Sequence, residues 1–400
     1  MRGNPSSNRK VLLLAAMALA LVSAAQAAPK FKILHAFGKG SDGGGLWGSL
    51  VLDAEGNLYG TTSGGGGDGC NGSGCGTVFE LSPHADGHWR ETIIHRFDGT
   101  DGAYPMDGLA FDATGDLYGM GNQGFGTVFE LFPGQGHWDI ALLLDSGDQA
   151  TLVLDQQGNL YGPFGGGEYS GGVISELVKA DGWADEWLYS FCPKGGKCLD
   201  GAIPFAGVTW GPDGSLYGTT TSGGSGGYGV VFRLTPQQDG TWKETVLHSF
   251  PAFLHDGQKP YEGVVLDQAE NVYGATAQGG SSTNCGVIFK LAPQANGKWK
   301  ETILYNFPKV SRGCTANTPG LDSQGNLWGT AQGGTSGNGV VFELTPQASG
   351  KWKYSAVHQF NWNDGSFPGA AVIFDGKGNL YGTTILGGTY GNGVVFELTP

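Results

Sequence analysis

Charge is scarce in this chain. Only 14% of its 400 residues are charged, and the basic ones are the scarcer, with 22 Lys and Arg against 36 Asp and Glu. A formal charge of -14 argues against nucleic-acid and anionic-membrane partners, because an acidic surface repels phosphates and lipid headgroups. Beyond the first 27 residues no apolar run approaches the ~20 residues of a membrane-spanning helix, so no membrane anchor is expected. The glycine-rich segments lead into strand-like sequence rather than helices, which removes the usual phosphate-binding loop. No catalytic signature stands out, and no cofactor or metal is expected.

The N-terminus carries Arg2, Arg9 and Lys10, then an apolar run from Val11 to Val22, then Ala25-Gln26-Ala27 as a small-x-small cleavage site. That pattern predicts a signal peptide over residues 1–27 and a single secreted or periplasmic domain over 28–400. The first cysteine is Cys70, too far along for a lipoprotein. In an exported chain the six cysteines predict disulfides. Cys70 with Cys75 and Cys192 with Cys198 are close enough to pair locally, leaving Cys285 for Cys314. Zinc is the rival reading for these residues, but neither close pair has the C-x2-C spacing.

Glycine is abundant, at 75 residues, beside 39% hydrophobic residues and 11 Trp. The chain can therefore bury a core while spending many positions on turns. The motif Gly-Asn-Leu-Tyr-Gly and its variants return with the aromatic residue at Tyr59, Tyr118, Tyr161, Tyr217, Tyr273, Trp328 and Tyr381. A period of 43 to 59 residues suits propeller blades and exceeds the roughly 20 to 30 of a leucine-rich repeat.

In the fifth copy four strand-like segments, a to d, follow one another: Gly263 to Asp267, Asn271 to Thr276, Gly286 to Leu291 and Trp299 to Phe307. One such meander leaves an apolar face exposed, so seven copies stack radially. The predicted fold is all-β, a seven-bladed propeller of four-stranded antiparallel blades. The last copy stops at Pro400 after segment c, and Phe31 to Phe37 resembles segment d. The N-terminal strand is expected to complete blade seven and leave no free edge.

Gly378-Asn-Leu-Tyr-Gly-Thr-Thr384 followed by Gly391 to Pro400 resembles the GloVer-type tandem repeat, and the resemblance spans residues 31–400. That family's members carry assorted C-terminal membrane or surface anchors. The resemblance implies repeats and export but no particular activity. With no anchor before Pro400, release is expected rather than surface attachment.

The Asp before the motif recurs at Asp53, Asp112, Asp155, Asp267, Asp322 and Asp375. It lacks the spacing of a calcium loop and is read as the cap of a tight a-to-b turn. His35, His95, His248 and His358 in segment d, with Tyr189 and Tyr305 in the same place, read as packing or hydrogen-bonding residues.

Function is sought where copies differ, on the face carrying the b-to-c loops and d-to-a connections. Just before segment a, one column reads Gly48, Asp107, Ala150, Ala206, Glu262 and Ala370. The preceding column reads Trp47, Met106, Gln149, Phe205, Tyr261, Asn317 and Gly369. Asp107 and Glu262 should face each other across the channel mouth, among aromatic rings. Acids and rings together suit a glycan, with Trp47, Asp107, Glu168, Phe205, Tyr261 and Glu262 as candidate ligand-binding residues. Two alternatives use the same face: an inverting glycosidase using Asp107 and Glu262, or a lyase using His255, Tyr261 and Arg312 as base, acid and carboxylate neutraliser. A structural surface protein is the third possibility. A monomer that binds extracellular glycan is the favoured reading.

Overall fold

The computed structural model describes residues 29–400 apart from 39–41, 123–125, 146–149, 165, 167–170, 195, 254, 281–283 and 309–314. It is a closed ring of seven four-stranded antiparallel blades. In blade one strand a is Val51–Leu52, strand b Leu58–Thr62, strand c Thr77–Pro83 and strand d Trp89–Arg96. In blade five the four strands are Val264–Leu266, Val272–Ala275, Val287–Pro293 and Trp299–Asn306, slightly shorter than the sequence pattern suggests.

Blade seven takes strand c from Val394–Thr399 and strand d from the N-terminal strand Lys30–Ala36. The two pair antiparallel from Lys30 opposite Thr399 to Ala36 opposite Val394. The expected ring closure is therefore present, and no blade is left with an unpaired edge where the chain ends meet.

The first turn of each blade shows why the motif recurs. Asp53 Oδ1 accepts the backbone N–H of Glu55 and of Asn57, at 3.0 and 2.8 Å. Its Oδ2 accepts from Asn57 Nδ2 and the Tyr59 hydroxyl, at 2.8 and 3.2 Å. Gly56 occupies the left-handed region at φ 89°, as a three-residue hairpin loop requires. The same Asp and aromatic pair forms at Asp112, Asp155, Asp267 and Asp375, and at Asp322 the donor is Trp328 Nε1. Blade four differs: its turn carries Gly211 in place of the Asp, and Asp213 bonds Ser215 and pairs with Arg233.

The last glycine of the motif is set by close approach. A Cβ on Gly60 would lie 2.7 Å from the Phe79 ring and 2.8 Å from Leu50. The strand c Phe lies in the same way over Gly119, Gly218, Gly274, Gly329 and Gly382. Blade three has Ser175 at that strand c position, and Phe164 of its own strand b is buried there instead.

Among the described residues seven buried apolar clusters hold the ring together, and each spans two adjacent blades. The motif aromatic of one blade always belongs to the cluster it forms with the next. Tyr273, for example, packs with Leu327, Val340 and Phe342 of blade six and meets Trp352 edge-on at 6.2 Å.

The d-to-a connections and b-to-c loops share one face, where they pair at Gly44 with Gly64, Ala202 with Ser222, Ala316 with Ala331, and Gly257 with Gly279. Disulfides Cys70–Cys75 and Cys192–Cys198 staple this face as expected. Cys285 is also disulfide-bonded, and Cys314, its expected partner, lies outside the described residues, as do residues 1–28.

Replacing Tyr273 by Ala should cost about 3–5 kcal/mol, the cost of deleting a large buried ring. Replacing it by Phe removes only the bond to Asp267 and should cost about 1–2 kcal/mol. Equilibrium denaturation of both variants checks the ratio, and equal losses would contradict the inter-blade packing role.

Candidate functional site

The residues before strand a of every blade converge on a cavity of about 280 Å³ at the mouth of the central channel. Trp47, Asp107, Phe205, Tyr261 and Glu262 all line it, so the structure brings five of the six candidate ligand-binding residues to one place. Trp47, Phe205 and Tyr261 remain 42%, 39% and 39% exposed. The Phe205 and Tyr261 rings meet edge-to-face with centroids 5.7 Å apart. Small residues supply most of the remaining wall, including Gly48, Ala150, Ala206 and Ala370. Gly48 is required sterically, since a Cβ there would sit 2.3 Å from the Asp107 carbonyl oxygen.

Both acids are held by the preceding blade. The Thr61 hydroxyl of blade one donates to the Asp107 carbonyl oxygen at 3.0 Å, and that of Thr219 in blade four donates to the Glu262 carbonyl oxygen at 2.8 Å. Thr330 and Thr383 make the same bond to Ala370 and Gly48. These threonines follow the motif glycine in blades one, four, six and seven, whereas blades two, three and five have Met120, Pro163 and Ala275. Their recurrence after Leu-Tyr-Gly or Leu-Trp-Gly is the signal that could have revealed the clamp.

The carboxyls sit deep among protein atoms while the cavity keeps their residues partly open to solvent. Asp107 Oδ2 is buried with no hydrogen-bond partner. Burial, reinforced by the Glu262 charge, pushes the Asp107 carboxyl up to about 7, and burial pushes Glu262 up to about 7. Near neutrality the pair therefore offers both a proton to donate and a lone pair to accept with. No lysine or arginine is among the described residues lining the cavity.

The remaining candidates stand elsewhere. His255 is exposed in the connection from blade four to blade five and does not line the cavity. Glu168 and Arg312 lie outside the described residues. Nothing described therefore joins Tyr261 as the base or cation of a lyase. The blade-six column needs one correction. The pairing of Gly320 with Trp328 matches that of Val51 with Tyr59, which puts Asn317 level with Gly48 rather than with Trp47. Asn317 is buried there, and its amide donates to Thr330 Oγ1 and to the carbonyls of Pro368 and Ala370. It ties blade six to blade seven.

The sequence matches the Gloeobacter/Verrucomicrobia repeat over residues 20–211 and again over 203–400, and the chain belongs to that family. No curated protein matches it. Among solved structures it is similar to the extracellular domain of a B. thetaiotaomicron protein assigned as a one component system. That match has 11% identity and a TM-score of 0.53, covering 91% of this chain and 39% of the other. A luciferin-regenerating enzyme matches at 15% identity and a TM-score of 0.45, over 73% of this chain and 90% of the other. At these identities the likeness concerns the fold alone.

The raised carboxyls have a sign that can be tested. Between about pH 4, where free carboxyls titrate, and about pH 7, the folded protein holds more protons than the unfolded chain, so the pair's contribution to stability falls as pH rises. The double variant Asp107→Asn, Glu262→Gln should exceed the wild type in thermal stability at about pH 8 and lose that advantage near pH 4. Calorimetry at the two pH values checks this, and no gain at the higher pH would contradict a buried, mutually repelling pair.

Proposed function

We propose that this member of the repeat family is an exported binding protein that holds a neutral glycan at the mouth of its propeller channel. The observation that carries the reading is the ring of three solvent-facing aromatics, Trp47, Phe205 and Tyr261, around a cavity that also contains two carboxyls. Aromatic faces cover the apolar faces of pyranose rings, and carboxyls exchange hydrogen bonds with hydroxyls. The absence of basic residues from the described cavity wall favours a neutral glycan over a uronic acid polymer. Export rests on the signal-like N-terminus and the disulfides.

A second reading is hydrolysis. It is favoured by the pair of carboxyls pushed to about 7, since a general acid and a general base work best near the operating pH. An inverting mechanism asks for a carboxyl separation of roughly 6.5–9.5 Å, enough to admit a water.

Affinity electrophoresis through a panel of neutral and uronic polysaccharides separates these outcomes. At least one neutral polysaccharide should retard the wild type, and the double variant Trp47→Ala, Tyr261→Ala should bind about tenfold or more weakly, as expected for loss of stacking rings. Soluble oligosaccharides bearing an added water would establish hydrolysis. No retardation by any glycan, or retardation unchanged in the variant, would sink the channel-mouth reading.

A further inference from the structure

Outside the channel, the blade interfaces carry a second set of departures from the repeat. On strand d of each blade, one position faces the strand d of the blade before. It is Glu91, Glu244 and Glu301 in blades one, four and five and an exposed Asp185 in blade three, but Ile140, Tyr354 and Phe31 in blades two, six and seven. At two of these interfaces ring stacking does the packing, with Tyr305 on Tyr354 at 4.1 Å and Phe31 on His358 at 3.7 Å. A carboxylate is therefore not what the scaffold needs at this position.

Where the glutamate is present, it meets two more polar groups. His35 Nε2 of the ring-closing strand lies 3.4 Å from Asp42 Oδ2 in the connection to blade one and 3.6 Å from Glu91 Oε2 of blade one. His248 Nε2 of blade four lies 3.2 Å from Asp256 Oδ2 and 3.6 Å from Glu301 Oε1 of blade five. In each set one nitrogen and two carboxylate oxygens fall within 4.8 Å of one another. Among the described residues these are the two groups of three His, Cys, Asp or Glu so disposed.

We propose that each set binds one divalent transition-metal ion of the zinc class, shared between neighbouring blades. Ligands bonded at about 2.0–2.1 Å in tetrahedral geometry lie roughly 3.3 Å apart, close to these separations, of which the two to the aspartates also serve as hydrogen bonds without an ion. Glu91 Oε1 and Glu301 Oε1 are buried with no hydrogen-bond partner, as is Glu244 Oε1 at the interface that lacks the histidine, so what distinguishes the two sets is the imidazole nitrogen beside two carboxylate oxygens. Two adjacent half-buried carboxyls beside an imidazole are costly to keep ionised together, a cost that a proton relieves in part and a bound cation would relieve fully. The imidazole favours a transition ion over calcium or magnesium. The Gly38 and Gly257 backbone N–H groups donate to Asp42 Oδ1 and Asp256 Oδ1, fixing each aspartate's orientation as outer-shell bonds do in metal sites. The side chains keep 11–21% of their surface exposed, which leaves a route for the ion and a fourth position for water.

The interface between blades three and four is an internal control. It has Asp200 and Glu244 but Tyr189 in place of the histidine, and the Tyr189 hydroxyl donates to Asp200 at 3.0 Å. That set lacks the nitrogen ligand and should not take zinc. The first set has a structural consequence of its own, since it would tie the closing strand to blade one through the metal as well as through packing.

The test is isothermal titration of EDTA-stripped, dialysed protein with zinc chloride. The wild type should take two equivalents, Glu91→Gln and Glu301→Gln one each, the double variant none, and Glu244→Gln two. Zinc should raise the melting temperature of the wild type more than that of Glu91→Gln. Should a variant fail to fold, X-ray absorption of the wild-type zinc complex decides: one imidazole with carboxylate oxygens supports the sites, and several imidazoles overturn them. No uptake by the wild type, or a stoichiometry indifferent to Glu91 and Glu301, also overturns the proposal.

Discussion

The contact on which the structure depends is the aromatic residue of the repeated motif, which belongs to two blades at once. In every blade but the fourth its polar atom is bonded to the turn aspartate of its own blade, and in all seven its ring is buried against the blade that follows. Burial pushes the Tyr59 hydroxyl far above its ordinary value, with Glu80 and Asp53 adding to the effect, so it stays a proton donor. In six of the seven repeats one residue thus couples the geometry of a turn to the packing of an interface. The same coupling makes the ring cooperative, because a blade that loses its turn also loses its grip on its neighbour.

That constraint explains where function can reside. Positions that build turns and interfaces are occupied in nearly every blade by the same few residue types, and chemistry is left to positions the scaffold does not use. The channel mouth is such a place: glycine and alanine are the commonest residues of its wall, and among the described residues its carboxyls come from blades two and five only. The threonine clamps put both acids on a fixed part of the rim, since each holds the backbone of the acidic residue from the blade before it. Holding the backbone leaves the side chain directed by the cavity. Aromatic rings on adjacent entries, Phe205 and Tyr261, brace each other edge-to-face without filling the opening.

Much of this was legible in the sequence because repetition exposes geometry. The seven motif aromatics marked the blades, Phe31 to Phe37 marked the closing strand, and the recurrent aspartates marked turns rather than calcium loops. The convergence of Asp107 with Glu262 followed from counting residues before strand a. Counting misplaced Asn317 by one column, although it stands as far before Trp328 as Gly48 does before Tyr59, so blade six keeps the register of the other blades. The strand d histidines read as packing elements, since four similar copies conceal that only His35 and His248 face a glutamate from the next blade. Such a cluster joins residues of three different segments, and no short motif records it. His255 drew notice as an exception within its loop, but its loop carries it away from the cavity.

The central claim is that Asp107 and Glu262 form one buried, ligand-facing pair. Carboxyl-carbon NMR titration of the two side chains, assigned through Asp107→Asn and Glu262→Gln and repeated with a retained oligosaccharide, tests it most directly. The account predicts that both titrate near 7, far above the ordinary carboxyl range of about 4, and that bound oligosaccharide shifts both resonances. Two independent titrations near 4, unmoved by the oligosaccharide, would contradict it.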